Sequence, residues 1–205
     1  MTFGPGQRAL AVGAHPDDVE FGCAATLQLF DARRVVVLTG GERGGPPGQR
    51  RDEAAAAAAV IGADIQVLDQ PDTALAPGPA ITAIAAAIAE FAPDVVLAPS
   101  RGDDHQDHAV VAQACYVATR GFHGVVLGYL TPSAVARFAP QALVGVDEER
   151  WRTKLAALDA HRSQAHRSYL AAGYVDTTAR YWGQQAGLGV ERAEPFEVVR
   201  WVQPG

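Results

Sequence analysis

The densest groupings of residues able to do chemistry in this chain are two short stretches. The first, Ala14-His15-Pro16-Asp17-Asp18, puts one imidazole beside two carboxylates. The second, Asp103-Asp104-His105-Gln106-Asp107-His108, packs two histidines and three acids together. Imidazole with carboxylate suits zinc or another divalent metal. Across the two stretches a three-ligand set is available: His15, Asp18 and one histidine of the second group. Two His and one carboxylate leave a position open for water, as a catalytic zinc requires. A metal held this way lowers the pKa of its water to about 7 and polarises a carbonyl. Asp17, next to Asp18, is suited to take the water's proton. The other imidazole would stabilise an oxyanion or protonate a leaving amine. These are the components of amide hydrolysis.

Either stretch alone reads equally well as a polar helix start at the surface. The elements around them decide. Arg8 to Ala14 is apolar almost throughout, as expected of a parallel strand covered on both faces. Val19 to Phe30 follows as a helix. Arg34 to Leu38, with three consecutive valines, is a second strand. The loop Thr39 to Gly48 contains five glycines and two prolines, and reads as a candidate active-site lid. A helix over Arg50 to Ile61 ends at Gly62. A short strand Ile65–Leu68, a helix Ala80–Phe91 and a fourth strand Val95–Ala98 come next. Helix Ala109–Arg120 and strands Val125–Leu130 and Ala142–Val146 follow. Asp147 caps a helix from Glu148 to about Ala160, and a further helix is expected around Ser163 to Ala172. Glu197 to Val202 alternates apolar and polar, as an edge strand or docked tail does.

Strand and helix alternate through most of the chain. Right-handed crossovers then give a single α/β domain over residues 1–205, with a mostly parallel sheet and helices on both faces. All parallel strands point the same way, so both His/Asp stretches lie beyond the same sheet edge. Ligands bind at that edge in such folds.

Composition narrows the partners. The formal net charge is -6 with no basic cluster, which disfavours nucleic acid and anionic membrane surfaces. No apolar run reaches the roughly 18 residues of a membrane span. The first eight residues lack the apolar stretch of a signal peptide. The expected location is cytoplasmic, where Cys23 and Cys115 serve as small core residues.

At these residues the chain resembles a known family. Ala14-His15-Pro16-Asp17-Asp18 and His105-Gln106-Asp107-His108 are similar to the AHPDD and HxDH motifs of PIG-L/LmbE-like deacetylases. Thr39-Gly40-Gly41-Glu42 resembles that family's T-x-G-E loop. Arg50 and Glu53, with Ile61-Gly62, resemble its R-x-x-E…L-G helix. Asp72 stands where the family has an acid after its third strand. Lys154 and His161-Arg162-Ser163-Gln164 resemble its K…H-x-S-Q element.

The resemblance implies a Rossmann-like fold and one zinc ion (Zn2+) or another divalent metal per chain. The implied substrate is a small-molecule N-acyl sugar, in most members N-acetylglucosamine in a conjugate. Carried over, His15, Asp18 and His108 are the implied metal ligands and Asp17 the general base. His105 is the implied oxyanion stabiliser or acid, with Asp107 orienting and charge-tuning it. Glu42, Arg50 and Asp72 become candidates for sugar contacts or for ordering the lid. His161 either lines the pocket or fixes the final helices. Lys154 is read as an ion pair or a phosphate contact. Family members often form homo-oligomers, so self-association is among the expectations.

Three other readings stay open at this level. One is an amidase releasing a larger acyl group. Another is a non-catalytic sugar-binding protein on the same frame. A mononuclear nuclease or phosphatase is the third, kept open by Asp103 and Asp104. Dinucleotide binding is disfavoured, because the glycines after the second strand lack the G-x-G-x-x-G order.

Overall fold

The computed structural model describes residues 3–4, 6–46, 48–134 and 136–202. Seven strands form one sheet: β1 (Arg8–Gly13), β2 (Ala32–Thr39), β3 (Asp64–Gln70), β4 (Val95–Pro99), β5 (Val125–Tyr129), β6 (Ala142–Val146) and β7 (Arg192–Trp201). Six helices accompany them: α1 (Asp18–Leu27), α2 (Gln49–Ile61), α3 (Pro77–Phe91), α4 (Gln106–Ala118), α5 (Glu148–Asp159) and α6 (Ala172–Ala186). The strand order is β3-β2-β1-β4-β5-β7-β6. β1 to β5 are parallel, and β7 runs antiparallel to both β5 and β6.

Successive residues of a strand point to opposite faces, and β1 and β2 divide their apolar side chains accordingly. Ala9, Ala11, Val35 and Val37 join a core with Cys23 and Leu27 of α1 and Ile61 of α2. Leu10, Val12, Val36 and Leu38 join Ile84 of α3 and Val111 of α4 on the other face. This explains the unbroken apolar run of β1. Every residue of α1 is buried, because the helix lies between the sheet and α5 rather than facing solvent on one side.

The order of connection reverses between β1 and β4, and both His/Asp stretches begin there. A crevice opens beyond the carboxyl ends of strands at such a point.

Two sequence expectations are corrected at the C-terminal end. The helix expected around Ser163 to Ala172 is replaced by two 3-10 turns, Arg162–Gln164 and Ser168–Leu170, with α6 beginning only at Ala172. Gly173 and Gly183 disguise α6. Gly183 is a packing glycine: a Cβ there would stand 2.5 Å from the Glu191 carbonyl oxygen. Likewise Glu197–Val202 is no edge strand or tail. It is the end of the ten-residue β7, which is flanked by β5 and β6. Charged residues hide its first half. Arg192 and Glu194 are nevertheless buried, neutralised by Asp176 and Glu148 in one case and by Lys154 in the other.

Candidate active site

The turn after β1 is built around Asp18. Its Oδ2 accepts hydrogen bonds from the backbone N–H groups of Ala14 (2.9 Å) and His15 (2.8 Å). That leaves Oδ1 facing His108 Nε2 at 3.1 Å. His15 Nδ1 lies 3.3 Å from the same His108 Nε2 and 3.7 Å from Asp18 Oδ2. One carboxylate and two imidazole nitrogens therefore converge. Bonds of about 2.0–2.1 Å to a tetrahedral zinc place its donors about 3.3 Å apart, so these three groups fit a divalent metal.

The far nitrogen of each of these imidazoles meets carboxylate. His108 Nδ1 is 2.8 Å from Asp103 Oδ2. Asp103 is itself held by Ser133 Oγ (2.6 Å), by the Thr131 hydroxyl and by the His105 amide (2.8 Å). His15 Nε2 lies 3.1 Å from both Asp72 Oδ1 and Asp107 Oδ2. Such partners fix the ring orientation and tautomer of a metal-binding histidine and raise its basicity. Burial acts to lower the pKa of both rings, but the carboxylates outweigh it. His15 is raised to about 9, chiefly through Asp107 and Asp72. His108 is raised to about 10 through Asp18 and Asp103. Asp18 responds in the opposite sense: burial disfavours its charge, yet the two histidines hold it well below the usual carboxylate range.

Asp17 is the strained member of the turn. Its φ of 103° is unusual for any residue but glycine and costs of order 1–3 kcal/mol. The conformation is held from both sides. Its carbonyl accepts the Phe21 amide at 3.0 Å, while Arg50 donates to the Pro16 carbonyl and stands 3.3 Å from Asp17 Oδ1. The other oxygen, Oδ2, is buried without a hydrogen-bond partner among the described residues. Burial raises the Asp17 pKa to about 6 against the pull of Arg50, with Asp18 adding to the rise. A carboxylate so placed is a proton acceptor near neutral pH.

These groups line a cavity of about 450 Å³. His105 also lines it, half-buried, with its ring stacked on His108 at 4.5 Å. Burial and the charges of the neighbouring histidines lower its pKa, and Asp107 opposes that shift. The resemblance implied that Asp107 orients His105. The Asp107 carboxylate instead faces His15, held there by the amides of Thr73 (2.7 Å) and Leu75 (3.3 Å). Its link to the His105 ring is a backbone N–H to Nδ1, at 3.2 Å.

Of the four residues proposed for substrate contact, Arg50 and Asp72 line the cavity, and Glu42 and His161 do not. Glu42 is exposed and accepts the Asp72 amide at 2.9 Å, which ties two loops together. His161 is sealed behind the wall, 3.5 Å from the buried Glu20. Gln164, three residues on, reaches the cavity instead and donates to the Gly44 carbonyl at 2.9 Å. The loop expected to act as a lid lines one side of the cavity, and its first residues are anchored. Thr39 Oγ1 donates to the Ala14 carbonyl, the Gly41 amide donates to Thr39 Oγ1, and Arg50 donates to the Gly41 carbonyl. Pro47 of that loop lies outside the described residues. Lys154 does not line the cavity; it pairs with Glu194 in the core.

Asp103 is the chief residue whose role sequence reasoning missed. Its position five residues before His108 was a signal, but its hydroxyl partners come from a loop beyond β5. Ser133, Tyr169, Arg43 and Arg167 also line the cavity, and nothing in their spacing marks them.

Fold and site together define a Rossmann-like α/β protein with a buried His/Asp donor set at its strand-reversal crevice. Comparison with known proteins is more specific. Residues 10–119 match the model of the PIG-L family, described as GlcNAc-PI de-N-acetylase. The chain is 38% identical over 167 residues to YaiS, an uncharacterized deacetylase of Escherichia coli (strain K12), covering 75% of this chain and 90% of YaiS. The protein belongs to the PIG-L family. Among solved structures, the conserved protein TT1542 of Thermus thermophilus superposes with a TM-score of 0.79 at 30% identity, over 97% of each chain. GalB, the 4-carboxy-2-hydroxymuconate hydratase of Pseudomonas putida KT2440, gives a TM-score of 0.81 at 22% identity, over 97% of this chain and 98% of GalB. That likeness concerns the fold alone, and a shared fold does not fix the reaction.

Proposed function

We propose that the protein is a metal-dependent hydrolase, with zinc as its ion, that removes the acetyl group from an N-acetylglucosamine-type small molecule. The observation that carries this reading is Asp17 Oδ2, a buried and unpartnered carboxylate oxygen beside three convergent metal donors. Family membership and the deacetylase relative support it.

His15 Nδ1, Asp18 Oδ1 and His108 Nε2 would hold the ion. A bound divalent metal supplies Lewis acidity, making water a nucleophile near neutral pH and polarising the acyl carbonyl. The chain's own groups do the rest. Asp17 accepts the proton of the attacking water, and Arg50 fixes the carboxylate through its other oxygen. His105 stands at the accessible side of the cavity, where it meets the oxyanion or returns a proton to the leaving amine. The products are acetate and a free amine.

The test is Asp17→Asn. It is expected to retain metal and fold while acetate release falls by about 10²–10⁴. Wild-type turnover by this variant would remove Asp17 from the chemistry. Substrates with longer acyl chains, assayed in parallel, separate a deacetylase from an amidase that releases larger groups.

A further inference from the structure

We infer that Thr73 determines specificity: from a strained turn at the cavity, its hydroxyl hydrogen-bonds one ring hydroxyl of the substrate sugar. That the ligand is a sugar rests on the deacetylase reading above; the contact at Thr73 is drawn from the backbone strain and the cavity.

The loop after β3 makes a tight turn over residues 71–74, closed by the Ala74 amide donating to the Pro71 carbonyl at 3.2 Å. Thr73 is the third residue of this turn and has a φ of 65°. Positive φ at that place calls for glycine or asparagine. For a β-branched side chain it is a genuine outlier. Among the described residues, Asp17, Thr73 and Ala92 have positive φ without being glycine. Asp17 is the proposed general base. Ala92 closes α3, where left-handed geometry is common. Thr73 alone is β-branched, and like Asp17 it lines the cavity. Strain of this kind persists only where the surroundings over-determine it, and it gathers at functional sites.

The surroundings hold Thr73 through its backbone. Its amide donates to Asp107 Oδ2 at 2.7 Å, and its carbonyl accepts a bond from Gln106 Nε2. Neither bond uses the side chain, and glycine would make both without steric conflict. The Thr73 hydroxyl has no hydrogen-bond partner among the described residues, and Thr73 is exposed where it lines the cavity. The side chain is thus kept against the backbone's preference and serves nothing inside the protein. A ligand in the cavity is what remains for it to serve.

The chemistry of that ligand group follows from the neighbours. A hydroxyl both donates and accepts, which matches an alcohol. Asp72 precedes Thr73 in the turn and Asp107 holds its amide. Two carboxylates so close disfavour an anion at this point. Asp72 is buried and faces His15, whereas Thr73 is exposed, so Thr73 lies further out than the metal donors. An acyl carbonyl held at those donors leaves the sugar ring to reach it.

The test uses the zinc-loaded full chain, the methyl glycoside of N-acetylglucosamine and its 3-, 4- and 6-deoxy analogues. Thr73→Val keeps the branched shape and removes the hydroxyl. It is expected to raise KM for acetate release about three- to tenfold with little change in kcat, and Thr73→Ser should recover most of the loss. The Val effect should vanish on the one analogue that lacks the partner hydroxyl, as coupled groups require. Thr73→Gly should show the same KM rise yet melt no lower than wild type. Wild-type KM in Thr73→Val, a loss confined to kcat, or an undiminished Val effect on all three analogues overturns the contact and leaves the deacetylase reading standing. A lower melt for Thr73→Gly also overturns it, because the side chain would then serve the fold. If wild type hydrolyses none of the glycosides, that reading fails, and calorimetric titration with the same glycosides decides the contact. Binding weakened in Thr73→Val and kept in Thr73→Ser supports it; equal binding in both, or none in wild type, overturns it.

Discussion

His108 Nδ1 lies 2.8 Å from the Asp103 carboxylate, and the opposite ring nitrogen faces Asp18 and His15. Asp103 is a positioning residue: it is buried, touches Thr131, Ser133 and the His105 amide, and does not line the cavity. Replacing it by Ala should weaken metal binding by about 10–100-fold, read in a competition titration with a chelator. Asp103→Asn, which keeps the shape and one acceptor, should fall between the two. Wild-type metal affinity in Asp103→Ala would show that His108 needs no outer partner.

Gly41 links the loop after β2 to the general base. It has a φ of 64°, and a Cβ there would stand 2.4 Å from Arg50 Nη1. Gly41→Ala should displace the guanidinium that holds Asp17, lowering kcat by about tenfold or more while metal affinity stays near wild type. Gly48 is the control. It also has positive φ, 85°, but no atom lies within 4 Å of the point where its Cβ would stand. Gly48→Ala therefore incurs only the backbone cost of a sparsely populated conformation, of order 1–3 kcal/mol, with kcat retained. Equal kcat losses in the two variants would attribute the effect to backbone strain alone.

The inner donors were legible because they sit next to one another in sequence, directly after strands whose direction follows from the βαβ pattern. His15, Asp17, Asp18, His105 and His108 all line the cavity. The outer partners were legible as residues but not in their roles: Asp72 and Asp107 meet His15 only through folding, and Asp103 lies near His108 in sequence but is held by hydroxyls from a distant loop. Asp72 reaches His15 across 57 positions of numbering, and Ser133 reaches Asp103 across 30. For His161 the sequence left two roles open, and the structure favours the structural one. A histidine inside a motif invites a role in the pocket, yet this one is buried against Glu20. For β7, the alternation of residues 197–202 was visible, but its first half reads as polar until Lys154, Asp176 and Glu148 are placed against it.

Removal of the metal should make stability depend on pH in a defined sense. In the metal-free protein His15 and His108 have pKa values of about 9 and about 10, above the ordinary value of 6.5. Groups with a raised folded pKa stabilise fully below the unfolded value and lose that contribution as pH rises through the folded one. Chelated protein should therefore lose stability between about pH 6.5 and 10. Metal-loaded protein, whose imidazoles bind as neutral ligands, should change less over that window and lie higher, by about 2.7 kcal/mol when free metal is a hundredfold above Kd. Thermal melts across this range, with and without chelator, measure both. Parallel curves would contradict the assignment of these two histidines as ligands.

Lys154 and Glu194 form a buried ion pair that grips α1 from the side. The Lys154 ammonium donates to the Phe21 carbonyl and to Glu194, and Glu194 accepts the amides of Ala25 and Thr26. Both side chains are almost wholly buried. Lys154→Met strands the Glu194 charge in the core and should cost about 3–5 kcal/mol, measured by denaturant unfolding. Glu194→Gln added to it removes that charge while keeping an acceptor for an α1 amide. The double variant should therefore be more stable than Lys154→Met alone, because an uncompensated buried carboxylate is worse than a neutral amide in the same place. α1 begins with the metal-facing Asp18, so loss of this grip should also lower metal affinity in the single variant and restore part of it in the double. A Lys154→Met protein as stable as wild type would mean that Glu194 is satisfied by the two amides without the lysine.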